Sequence, residues 1–129
     1  MIRLAAIAVV LLATWLSLTP RPPKIEGLPA GSDLAVHAIM HIGIAGALWM
    51  AWPTRKPWVI AATVLLAVGL EVGQLWVPGR VFSFGDLRAN LAGAALGMVL
   101  AARVGLPLAA RLARHYPATA RRLGLSLPR

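Results

Sequence analysis

Apolar side chains run almost unbroken through four stretches of the chain, residues 4–19, 34–52, 58–77 and 87–110. Each is close to the roughly 20 helical residues that cross the hydrocarbon core of a bilayer. Pro20, Pro53, Pro57 and Pro78 stand at the boundaries, where residues that open or interrupt helices belong. Arg103 and Pro107 break the last run near its end. The connections are short, and no internal repeat of useful length is visible. The pattern predicts an all-α, polytopic integral membrane protein with four transmembrane helices. Residues 1–110 form the four-helix domain, and residues 111–129 form a basic tail. The first run, preceded by Arg3, also has the look of a secretory signal. However, "SLTPRPPK" follows it, without an A-x-A-like cleavage site, and it is therefore read as a retained span.

Composition supports the membrane class. The chain has 129 residues, 59% of them hydrophobic and only 13% charged, too few charges to cover the apolar surface of a soluble domain. Cysteine is absent, which excludes disulfides, thiol catalysis and thiolate metal sites. A net charge of +9 suggests nucleic acid at first. The basic residues, however, sit at the ends of apolar runs and in the last stretch of the chain rather than along one reading face. That placement sets orientation instead. Arg3, Arg55, Lys56, Arg103, Arg111, Arg114, Arg121, Arg122 and Arg129 fall on one side, and Arg21, Lys24, Arg80 and Arg88 on the other. The excess places both termini in the cytoplasm of a cell with a plasma (inner) membrane. Trp49, Trp52 and Trp58 would then lie at the inner interface, with Trp15 and Trp76 at the outer one. The tail, "RLARHYPATARRLGLSLPR", is expected to lie against anionic lipids of the cytoplasmic leaflet.

With the spans placed, the polar residues sort by depth. Asp33, His37 and His41 recur every fourth residue and share one helix face. Glu71 lies about 8 Å inside the outer end of the third span, with Gln74 one turn outward. Asp86 opens the fourth span and Asn90 follows one turn inward. Polar groups in hydrocarbon need partners or a wet cavity. Asp33, His37, Glu71, Gln74, Arg80, Asp86 and Asn90 are therefore expected to gather in one outward-facing polar pocket. Gly69-x-x-x-Gly73 and Gly93-x-x-x-Gly97 provide small residues for close helix packing. In the loop between the last two spans, Pro78-Gly79 is a turn signal. It puts Arg80 at the pocket mouth, in reach of Asp86, Glu71 or an anionic ligand.

Asp33-x-x-x-His37, Glu71-x-x-Gln74, "VPGR", Ser83, Asp86, Asn90 and Gly93, with "SLTP" closing the first span, resemble the VanZ-like membrane proteins. The resemblance extends from the first span to about Gly97. It implies a cell-envelope protein, in a family named for a protein associated with lowered susceptibility to teicoplanin. Two positions depart from the family pattern: Leu34 stands where Lys is frequent, and His41 where an aromatic residue is frequent.

Three uses of the pocket stay open. It binds an anionic or lipid-linked envelope molecule through Arg80, His37, Gln74 and Asn90. Alternatively, it is the site of a membrane-embedded hydrolase or transferase acting on a lipid-linked substrate, with His37 and Glu71 as the acid/base pair. A metal-assisted version of that enzyme would use His37, His41, Glu71 and Asp86, because His residues four apart on a helix suit a divalent ion. The third use is structural, with Asp86 serving as the N-cap of the fourth span and Glu71 joining two helices. No motif calls for a cofactor, and neither a resident metal nor a nucleic-acid partner is expected.

Overall fold

A computed structural model describes residues 1–21 and 32–124. Lys24, Arg129 and the end of the basic tail lie outside the described residues. The chain is helical: α1 (Ile2–Leu18), α2 (Ser32–Ala51), α3 (Lys56–Gly73), α4 (Phe84–Leu100), α5 (Leu106–His115) and α6 (Pro117–Leu123). Among the described residues there is no strand.

Among the described residues, three helical segments are long and apolar enough to cross a membrane: Ser32–Ala51, Lys56–Trp76 and Phe84–His115. The apolar helix Ile2–Leu18, 17 residues long, is shorter. Local chemistry fixes the ends. Pro57 sits in the first turn of α3, where its missing N–H costs no helical bond. At its other end α3 tightens into a 3-10 turn, Gln74–Trp76, and Val77, the residue before Pro78, is extended. Val77 to Arg80 then form a tight turn closed by the Arg80 N–H on the Val77 carbonyl (3.0 Å), with Gly79 at φ +80°.

The last helix departs from its expected limits at both ends. It begins at Phe84, with Ser83 as N-cap, so Asp86 is the third helical residue and not the cap. It also passes Arg103 and Pro107 without ending. Between α4 and α5 a π turn, Ala101–Gly105, widens the helix. Proline at a helix interior removes one N–H and clashes with the carbonyl four residues back, and a wide turn accommodates both defects. The helix therefore continues to His115, five residues beyond the expected boundary at residue 110.

The interior is made of small and polar residues, with the bulky apolar residues outside. Among the largest fully buried side chains, Ile44 is joined by His41, Glu71, Asn90 and Thr63. Most of the remaining core is alanine, whereas Leu4, Leu65, Ile39, Trp58 and Trp76 face outward. A bilayer gives apolar side chains no incentive to hide, so helices associate through close contact and polar groups. The most extensive interface is α2 against α4. A Cβ at Gly93 would overlap the Ala38 carbonyl, and one at Gly97 the Ile42 carbonyl, so both positions accept only a hydrogen. In α3, Gly73 meets Leu18, but Gly69 faces open space. The expected packing role of Gly69 is thus corrected: a small residue in an i, i+4 pattern signals contact only if a neighbouring helix reaches that face.

Candidate functional site

Two polar clusters occupy the end of the bundle where α1 and α3 finish and α2 and α4 begin. The first starts at Glu71, in the last turn of α3 and fully buried. Its Oε1 accepts the backbone N–H of Ser83 at 2.8 Å, and its Oε2 accepts Asn90 Nδ2 at 3.5 Å. Ser83 in turn caps α4, its Oγ accepting the Asp86 N–H at 3.2 Å. The Ser83-x-x-Asp86 spacing is that of a capping box, in which the third helical residue would reach back to the cap's own N–H. Here Glu71 from the neighbouring helix takes that N–H instead. The Asp86 carboxylate is left to face His37, with Oδ2 3.8 Å from His37 Nε2.

This arrangement sets the direction of every bond. With Asn90 Nδ2 donating to Glu71, Asn90 Oδ1 is left facing His37 Nδ1 at 3.0 Å, so Nδ1 carries the hydrogen in this network. Nε2 is then the variable atom. In the neutral ring it is an acceptor beside an acceptor carboxylate, and in the protonated ring it is half of an ion pair. The separation from Asp86 exceeds a direct hydrogen bond and leaves room for a bridging polar group. Glu71 and Asn90 are sealed inside, while the side chains of His37 and Asp86 keep 13% and 20% of their surface exposed. The network reaches the surface at those two residues, with Ser83 half-buried beside them.

The second cluster closes the end of α1. Gln74 Nε2 donates to the Ser17 carbonyl at 3.4 Å. Arg80 Nε donates to the Thr19 carbonyl at 3.4 Å, and its Nη2 to the Leu16 carbonyl at 3.2 Å. The last carbonyls of a helix lack intrahelical donors and carry partial negative charge, so an arginine and an amide are suited to them. The Pro78-Gly79 turn aims Arg80 at α1. Its expected pairing with Asp86 or Glu71 is therefore corrected, and Gln74, although one turn from Glu71, belongs to this cluster too. Neither assignment was visible in the sequence, because main-chain carbonyls carry no signature there. For Ser83 there was a signal, its spacing to Asp86.

The other expected site residues lie apart. Asp33 is exposed in the first turn of α2, where a carboxylate complements the helix dipole. His41 is fully buried one turn below His37; its Nδ1 lies 3.2 Å from the His37 carbonyl, and its Nε2 has no hydrogen-bond partner among the described residues. Among the described residues, no three of His, Cys, Asp and Glu are grouped so as to hold a metal ion. Phe82 and Phe84 flank Ser83 and meet edge to face, centroids 4.9 Å apart.

Comparison with known proteins adds one finding. The VanZ/LLP1 family model matches residues 15–106, a span that contains both clusters from Leu16 to Asn90. No curated protein and no solved structure gives a significant match.

Proposed function

The chain belongs to the VanZ/LLP1 family. From that premise we propose a multi-pass protein of the inner membrane that acts in the cell envelope, with its His37–Asp86 edge binding the polar head of an anionic lipid or lipid-linked envelope molecule. In this reading the bilayer is crossed four times, α1 included, and both termini are cytoplasmic. Nine of the thirteen Lys and Arg residues then lie on the inner side, as the positive-inside rule requires. The two-cluster end faces outward, and the tail from residue 111 rests on anionic lipids of the inner leaflet.

The observation that carries the proposal is the surface edge of His37 and Asp86 on a network whose Glu71 and Asn90 are sealed inside. Glu71 and Asn90 orient His37 as a buried support orients a binding group, and they leave Nε2 and the Asp86 carboxylate side by side. Two acceptors at this separation suit the hydroxyls of a glycan head group. On protonation of His37 the same edge presents a donor to phosphate. Arg80 uses Nε and Nη2 on α1, and its positive charge lies at the same end of the bundle as the edge.

The test is binding of a polyprenyl-diphosphate-linked disaccharide to the purified protein in detergent. His37→Ala and Asp86→Asn are expected to weaken binding about tenfold each, the scale of one lost charge-assisted hydrogen bond, with thermal stability near that of the parent chain. Unchanged binding in both variants would reject the site. Conversion of the probe to a new product, lost in His37→Ala, would favour the enzymatic reading, in which Nε2 accepts the proton. Variants that chiefly lose folded yield would favour the structural one. A teicoplanin-susceptible host expressing the chain is expected to tolerate more of the drug, and the His37→Ala variant is not.

A further inference from the structure

At the opposite end of the bundle, a groove of about 1020 Å³ opens between the start of α1, the end of α2, and α5 with α6. Met50 and Leu106 contribute to its apolar lining, and Arg3, Arg114 and Arg121 line it from three helices. Arg3 is held over the Trp52 ring, its Cζ 5.8 Å from the centroid. Among the described residues, no acidic one lines the groove. The described carboxylates, Asp33, Glu71 and Asp86, all belong to helix ends at the other pole, and none forms an ion pair with these arginines.

We infer that this groove is a binding site for one anionic phospholipid, its phosphate held by Arg3, Arg114 and Arg121 and its acyl chains leaving over the apolar wall. Depth selects a lipid over a soluble phosphate. The segment Phe84–His115 has 32 residues, about 48 Å of helix against a hydrocarbon core of about 30 Å. The excess puts α5 at the level of the head groups, with Trp52 at the interfacial position typical of that ring. Ala102 and Leu106, deeper along the same helical segment than Arg114, line the groove on its bilayer side and give the chains an apolar path. The site is distinct from the His37–Asp86 edge and does not depend on what binds there.

Native mass spectrometry of the full chain in detergent, titrated with dioleoyl phosphatidylglycerol, tests the inference. One lipid is expected to bind saturably, in preference to dioleoyl phosphatidylcholine. The double variant Arg114→Ala/Arg121→Ala is expected to bind it roughly 25-fold more weakly, about fivefold for each basic residue removed. Arg111→Ala/Arg122→Ala removes the same charge from the same helices outside the groove and is expected to stay within about twofold of the parent. Arg3→Gln, about fivefold weaker, provides a variant in a different helix should the double change disturb α5. Equal losses in the two double variants would show diffuse attraction and overturn the inference, as would no loss in the groove variants. Displacement of the lipid by inorganic phosphate at similar concentrations would overturn the choice of a lipid.

Discussion

Glu71 accepts two hydrogen bonds from groups that can only donate to it, Ser83 N–H and Asn90 Nδ2. Glu71→Gln keeps the shape of the side chain but replaces one acceptor with a donor, so one of the two partners meets an N–H. If Asn90 turned its amide to compensate, its oxygen would leave His37 Nδ1. The expected cost is up to about 1–3 kcal/mol, read as a lower unfolding temperature in detergent: a buried donor is stranded if Asn90 keeps its place, and if it turns, His37 must move its hydrogen to Nε2 to accept Asn90 Nδ2. A variant as stable as the parent would mean that the two bonds do not define the network. At this scale the sequence was informative where depth decides partners. His37, Glu71, Asp86 and Asn90 could be brought together on paper because hydrocarbon leaves them few alternatives. It was uninformative for Gln74 and Arg80, whose partners are backbone oxygens that any α1 sequence would offer.

Helix ends and helix contacts follow different rules of legibility. Prolines marked where α1, α2 and α3 stop, because a missing N–H acts locally. Pro107 interrupts the regular helix without ending it, because the π turn just before it lets the helix continue. The four packing glycines looked alike in sequence and differ in place. Gly93→Ala would drive a Cβ into the Ala38 backbone and is expected to destabilise by about 1–3 kcal/mol, the range for overpacking. Gly69→Ala meets nothing and gains helix propensity, so it is expected to be neutral or to stabilise by up to about 1 kcal/mol. Thermal unfolding of the two variants side by side checks the contrast. A destabilised Gly69→Ala would point to a partner on that face of α3.

For the molecule as a whole, topology is the property with the most consequences, and the chain is well suited to measuring it. It contains no cysteine, so single cysteines report position without background. Val81, 76% exposed in the loop before α4, and Arg55, exposed between α2 and α3, sit at opposite poles. In intact cells a membrane-impermeant maleimide is expected to label Val81→Cys at once and Arg55→Cys only after permeabilisation. The reverse order would invert the orientation. The all-α architecture and the membrane class were legible because apolar run length is a whole-chain signal. The division of the polar residues between two clusters was not, because it depends on where α1 comes to rest. That resting place has a further consequence. Gln74 and Arg80 grip α1 by its main chain, and α1 buries little beyond Ala6, Ala13 and Ser17. The first helix is in effect a replaceable part. A foreign apolar helix with small residues at those three positions and the same extended exit into Pro20 would dock as well, leaving the polar network of the other three untouched.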